Sequence, residues 1–317
     1  MKSLYVDLKG GLGFNIAFVR VAKCLINKGY KINAISPYWD ILASADINYY
    51  KPNEYRDFIF DAKNENGEII ENRIYDMSDF IYKKLNYKDA WLKLMNIKDT
   101  VTDEEYNALN LDVYNSFSNL KNLEDDILNT IKQNGFEDFM LVQFWGGQTP
   151  LVEVPNNDWS KVPYDYQNEP LKRHYPIKKA QEFVNLYRMR NPKTAVIQYS
   201  LPNEPRLEGV FNFTVPYLVY YELSKKAKEA VTIDSSLQHL ITGNCPLTVL
   251  WGHSLPSNFG YSCNNNIIQE CRRDDILYFT ALGASGAKIE YIEPNELIEK
   301  ITKKENNVTK EEKKKNE

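Results

Sequence analysis

Long apolar runs, paired cysteines and an excess of charge of either sign are all missing from this chain of 317 residues. No stretch reaches the ~18 uninterrupted apolar residues of a membrane helix, so a helical span is not expected. The four cysteines (Cys24, Cys245, Cys263 and Cys271) include no C-x-x-C pair, and Cys263 and Cys271 lie far apart for zinc, with no histidine nearby in sequence. A disulfide framework and a zinc site are therefore not expected. With 39 basic against 43 acidic side chains and a net charge of -4, the chain offers no broad electrostatic grip on nucleic acid. Only a local basic groove stays open. Asp7 and Lys9 occupy the place where a signal peptide has its apolar middle, so a cytoplasmic setting is the expectation. No repeat of roughly 20 to 50 residues is visible, which argues against solenoids and propellers.

What is present is a globular composition, 43% apolar and 13% aromatic, in a length that suits two domains at roughly 150 residues each. The opening reads as strand, glycine turn and helix. Leu4 to Leu8 is β-prone, Lys9-Gly-Gly-Leu-Gly13 is the turn, and Asn15 to Asn27 has helical apolar spacing through Ile16, Val19, Ala22 and Ile26. Lys28-Gly29 stops the helix, and a second strand from Lys31 to Ser36 runs into Pro37-Tyr-Trp-Asp40. That is the β-α-β unit of a parallel sheet.

Residues 62–135 are charged and amphipathic, with helical patterns at Met77 to Leu94, Thr102 to Leu111 and Leu120 to Gln133; Thr102 and Glu105 form a capping-box pair. A second β-α series follows, with strands expected at Phe139 to Gln143, Thr194 to Tyr199, Glu229 to Ile233, Leu247 to Trp251 and Lys288 to Ile292. The expected division is 1–135 and 136–300, with a charged tail over 301–317 that lacks an apolar face.

Three constellations could carry chemistry. The first is Gly10-Gly11-Leu12-Gly13-Phe14-Asn15, where glycines let a ligand or another backbone approach a helix start; it is neither G-x-G-x-x-G nor a P-loop, and a plain tight turn explains it equally. The second is Asp234-Ser235-Ser236-Leu237-Gln238-His239, where a strand passes into a helix on the edge at which open α/β sheets bind ligands. Its bland reading is a helix cap with a packed histidine. The third is Lys172-Arg173-His174-Tyr175-Pro176, whose cations could neutralise a phosphate or simply be solvated.

Taken in order, Gln143-Phe-Trp-Gly-Gly147, Lys172-Arg-His-Tyr-Pro176, Asp234-Ser-Ser-Leu-Gln-His-Leu240 and Trp251-Gly-His-Ser-Leu-Pro256 resemble glycosyltransferase family 9, the lipopolysaccharide heptosyltransferases. The family carries a K-R-W-P-like segment, a D-S/T-G-x-x-H-L segment and an F/Y-G-P-T-x-P-like segment in this order, and the match covers about 130 residues of the C-terminal half. The glycine turn is also similar to the family's S-L-G-D turn and to the G-G-L-G-N-Q turn of fucosyltransferases. The resemblance implies an α/β protein of GT-B fold, with two Rossmann-like domains facing across a cleft and a nucleotide-sugar donor as co-substrate, without a metal or other cofactor.

Carried over by position, the resemblance puts Lys172 on donor phosphate and Asp234, Ser235, Ser236 and His239 around the diphosphate and sugar. Gly11 and Gly13 would lie at the donor, and Glu204 would accept hydrogen bonds from ribose hydroxyls. Trp145, Trp159, Tyr164 and Tyr166 could stack on sugars or simply pack.

Two departures stand out. Ser236 replaces the family's glycine, and Phe14 replaces its catalytic aspartate. Asn15 is the polar residue next along. A hydroxyl acceptor still profits from a base, for which Asp40 is the first candidate and Asp7 the second, with helix capping as the bland alternative for Asp40. The expectation is a glycosyltransferase acting on a hydroxyl of a saccharide, lipid-linked glycan or modified nucleobase, a DNA acceptor being disfavoured by the charge balance. An inactive nucleotide- or sugar-binding GT-B scaffold and a nucleotide-sugar epimerase are the alternatives.

Overall fold

The computed structural model describes residues 3–82, 85–146, 173–201, 204–252, 254–271 and 289–301. Lys172, Trp159, Tyr164, Tyr166 and the charged tail beyond Ile301 lie outside them.

The first sheet is all parallel, in the order β3-β2-β1-β4, from β1 (Ser3–Asp7), β2 (Lys31–Ile35), β3 (Asn48–Tyr50) and β4 (Glu68–Glu71). Helix α1 (Leu12–Asn27) crosses from β1 to β2, starting three residues before the expected Asn15. The short α2 (Trp39–Ser44) leads to β3, and α3 (Tyr55–Asn64) covers the opposite face, packing Phe58 and Ala62 on Tyr5 and Ile35.

Strand β4 corrects the helical reading of residues 62–135 at its start. Two isoleucines give no visible period. Gly67 sets the pairing, because a Cβ there would stand 2.5 Å from the Tyr5 ring. The remaining segment is helical, as α4 (Ser78–Tyr82), α5 (Tyr87–Leu94), α6 (Asp103–Asn107), α7 (Val113–Ser116) and α8 (Leu120–Gln133). Thr102 and Glu105 make the reciprocal capping box, yet α6 stops at Asn107, short of the expected Leu111.

The second sheet has the order β12-β11-β10-β5-β8-β9, again parallel. It comprises β5 (Asp138–Gln143), β8 (Thr194–Gln198), β9 (Phe211–Asn212), β10 (Glu229–Ile233), β11 (Leu247–Trp251) and β12 (Asn265–Ile268). Burial on both faces explains why β8, β10 and β11 are mostly apolar without strict alternation. A small ribbon pairs β6 (Trp145–Gly146) with β7 (Arg173–His174). Ile289–Glu290, part of the strand expected at 288–292, pairs with Glu270–Cys271 in a separate antiparallel ribbon instead of joining the sheet. The sixth strand is the asparagine-rich β12, whose composition hides it.

Helix α9 (Ile177–Arg190) and residues 294–301 cover one face of this sheet. On the other lie α10 (Tyr217–Ser224) and α11 (Ser236–Ile241), with α12 (Pro256–Phe259) beyond. One hydrophobic core runs from β1 and α1 through α5 and α8 into α10, α11 and β5, so the two α/β halves share a buried joint. Among the described residues no helix is long and apolar enough to cross a membrane.

Candidate functional site

In the second sheet the chain moves from β5 to β8 on one side and later to β10 on the other, so the strand order reverses between β5 and β10. Carboxyl ends diverge there and leave the crevice that ligands use in open α/β sheets. Gln143 ends β5, and Asp234 and Ser235 follow β10. Ser235 is the N-cap of α11, and its hydroxyl donates to Gln143 Oε1 across the crevice. Asp234 is 3% exposed; its carboxylate accepts from Gln238 Nε2 at 2.7 Å and from the Ser254 hydroxyl. A cavity of about 10 Å³, room for roughly one water, opens beside it, walled by His174, Gly252, Ser254 and Gln269. Gly146 closes the other wall, where a Cβ would meet Ser235 Cβ at 3.1 Å. Ser236 is half-buried at the first position of α11.

Farther along the same edge, Glu204 sits in the turn after β8. It is 3% exposed, its Oε2 accepts the Leu201 N–H at 2.8 Å, and its Oε1 has no hydrogen-bond partner. Burial pushes this carboxyl up to about 7. Tyrosines link it to the first half of the chain. The Tyr199 hydroxyl is pushed up to about 12, first by burial and then by the nearby charges of Glu204 and Tyr38. Tyr217, raised further by burial and then by Asp40, donates its hydroxyl to Asp40 Oδ1 at 2.5 Å. Asp40 itself stands in the first turn of α2, half-buried, and also accepts the Ile41 N–H at 3.1 Å. Asp40 and Glu204 thus mark two ends of one tyrosine-lined seam.

Other expected site residues lie elsewhere. Gly13 presses directly on α11, and a Cβ there would come within 2.8 Å of His239 Cδ2 and 3.3 Å of Ser236 Cα. The space a ligand would need beside Gly13 is filled by protein, whereas Gly11 borders open space. His239 is correspondingly turned inward. It is 4% exposed, with Nδ1 2.8 Å from the Tyr261 hydroxyl and its ring against Tyr87, so it packs into the joint.

Asn15 is fully buried. Its Nδ2 donates to Gly11 O at 2.9 Å and its Oδ1 accepts from Ser36 at 2.6 Å, which ties the glycine turn to the end of β2. Phe14 stacks into an aromatic cluster, 4.9 Å from Trp91 and 5.6 Å from Tyr87, so core packing occupies the position of the family's aspartate. Asp7 is buried at the end of β1 and paired with Lys9 at 3.0 Å.

Sequence reasoning missed the residues that fasten the site. Tyr217 gives no local sign, because its partner is 177 positions away. Ser254 lies within the Trp251 to Pro256 motif, but only the fold shows that it caps Asp234. Arg20 is fully buried in α1, where an apolar stripe was expected. Its guanidinium donates to His239 O at 3.0 and 2.8 Å, Thr242 O at 2.8 Å, Tyr106 O at 3.1 Å and Asn107 O at 2.7 Å, and lies 4.8 Å from the Tyr261 ring centre. Among the described residues no group of three His, Cys, Asp or Glu side chains is placed to hold a metal ion.

Two parallel Rossmann-like units in succession are the architecture of the GT-B fold. Among solved structures the chain is similar to a glycosyl transferase of family 9 from Veillonella parvula, at 10% identity and a TM-score of 0.59 over 95% of this chain and 96% of that one. It is also similar to E. coli ADP-heptose lipopolysaccharide heptosyltransferase II, at 12% identity and a TM-score of 0.53 over 95% and 98%. A third likeness is to the iron-containing dodecameric glycosyltransferase TibC of enterotoxigenic E. coli, at 12% identity and a TM-score of 0.50 over 84% and 62%. At these identities the likeness is one of fold. No protein-family model and no curated protein sequence matches the chain.

Proposed function

We propose that this chain is a glycosyltransferase of the family-9 kind, moving a sugar from a nucleotide donor to a hydroxyl acceptor. Residues 136–300 form the donor half and residues 62–135 contribute to the acceptor side. The observation that carries the reading is the polar group at the β5/β10 reversal, where Asp234, Ser235 and Gln143 are held together on the ligand-binding edge of a GT-B sheet. In this reading Ser235, Ser236 and Lys172 meet the diphosphate, and Glu204 Oε1 accepts a ribose hydroxyl. Asp40 takes the proton from the acceptor as the glycosidic bond to the nucleotide breaks. Tyr217 holds the Asp40 carboxylate in place.

Titration of the purified protein with ADP, UDP and GDP tests the donor assignment. One of them is expected to bind, with affinity falling at least tenfold in Lys172→Ala and Ser235→Ala. Undiminished binding in both variants would remove it. A second reading, an inactive nucleotide- or sugar-binding scaffold in the cytoplasm, draws support from Phe14, whose burial removes the family's base. Release of nucleoside diphosphate from a nucleotide sugar, lost in Asp40→Asn, decides for the enzyme.

A further inference from the structure

The first sheet carries a second concavity, at the opposite end of its strands from the candidate site. Tyr5, Asn33 and Asn48 are register partners across β1, β2 and β3 and form a polar row on the face that carries α3, running from under that helix to the exposed edge strand β3. Lys31 and Glu65 stand at the amino end of this row, and Asp46 and Tyr49 stand at the edge strand. The groove between them measures about 590 Å³, inside the roughly 300–1,000 Å³ usual for ligand pockets.

Its floor is built and incompletely satisfied. Asn33 is 3% exposed; its Oδ1 accepts from Asn48 Nδ2 at 3.2 Å, while its own Nδ2 has no hydrogen-bond partner. A buried amide donor left unpaired is destabilising, and a ligand acceptor atom would satisfy it. Tyr5 is 1% exposed, its ring packed edge-on against Phe58 of α3.

The chemistry of the lining selects the ligand. Lys31 is paired with Glu65 at 2.6 Å, and Asp46 adds a carboxylate, so the groove presents no surplus cation to a phosphate. Amides that donate and accept, tyrosine hydroxyls and a carboxylate match the alternating donors and acceptors of vicinal hydroxyl groups. Tyr49, 38% exposed and stacked on Trp39 at 5.6 Å, adds an aromatic face at the rim. We propose that this groove is a binding site for a neutral saccharide, separate from the donor edge and independent of whether the donor reading holds.

The test is titration of the full chain with neutral glycosides (glucose, galactose, N-acetylglucosamine, lactose and chitobiose), followed by NMR line shifts and calorimetry. At least one is expected to bind, with Kd raised tenfold or more in Asn48→Ala and in Tyr49→Ala, both of which are exposed positions whose change leaves the core intact. Nucleoside diphosphate binding is expected to be unaltered in both variants and to leave saccharide affinity unchanged. Failure of every glycoside to bind, equal affinity in the variants, or competition by the nucleotide would each overturn the proposal. Nucleotide binding undiminished in Lys172→Ala and Ser235→Ala, with saccharide binding intact and lowered in Asn48→Ala, would support the saccharide groove and count only against the donor site.

Discussion

Glu204 holds its proton in the folded chain more tightly than an ordinary carboxyl, because burial raises it from 4.5 to about 7 and only one of its oxygens is hydrogen-bonded. The consequence for stability has a definite sign. Below pH 4.5 both folded and unfolded chains carry the proton, and the group contributes no difference. Between 4.5 and 7 the unfolded chain releases it first, so stability falls as pH rises. Above 7 the cost levels at roughly 3–4 kcal/mol, since each tenfold change in proton affinity is worth about 1.4 kcal/mol. Glu204→Gln keeps the acceptor for Leu201 and removes the titration. Its Tm is expected to match wild type near pH 4.5 and to exceed it by on the order of 5 °C at pH 8. A gain of equal size at both pH values, measured by thermal denaturation, would contradict the buried ionisation.

At the level of elements, the glycine turn explains itself by what lies against it. Gly13 meets α11, while a side chain at Gly11 would meet nothing within 4 Å. Gly13→Ala pushes a methyl into a His239 ring already fixed by Tyr261 and Tyr87, at an expected cost of about 1–3 kcal/mol. Gly11→Ala is expected to cost less than about 1 kcal/mol, as an N-cap change without a clash. Urea denaturation of the pair checks this, and equal costs would mean that Gly13 is not a packing glycine.

The same turn shows how far the sequence could be read. The strand, turn and helix of residues 4–27 were legible because their apolar spacing is local, and β8, β10 and β11 were legible as continuous β-branched or apolar runs. Strand β4 and strand β12 were not, since a contact of Gly67 with Tyr5 and a pairing with Trp251's strand define them. In the candidate site, Asp234, Ser235 and Glu204 were visible as polar residues just past strands. The inward turn of His239 was hidden, because the partner that fills its surroundings is α1, more than two hundred residues earlier.

Across the whole molecule the two α/β halves are joined by a core that passes from one to the other, with Arg20 at its centre. Among the described residues no carboxylate pairs with Arg20; four carbonyls and the Tyr261 ring take its charge, two of the carbonyls lying at the C-terminal end of α11 where the helix dipole favours a cation. Glu124 of α8 adds a second tie; it is 1% exposed and paired with Lys226 at 2.6 Å across the joint. Halves joined in this way should unfold together. Scanning calorimetry is expected to give one transition whose calorimetric and van't Hoff enthalpies agree. Arg20→Leu strands the carbonyls of His239, Thr242, Tyr106 and Asn107, at an expected cost of about 3–5 kcal/mol for breaking a buried charged network. It should also separate the transition into two, because the lost guanidinium bonds run from α1 of the first half to the His239 and Thr242 carbonyls of the second. Two transitions already present in the wild-type chain, or a single undivided one in Arg20→Leu, would show that Arg20 does not couple the halves.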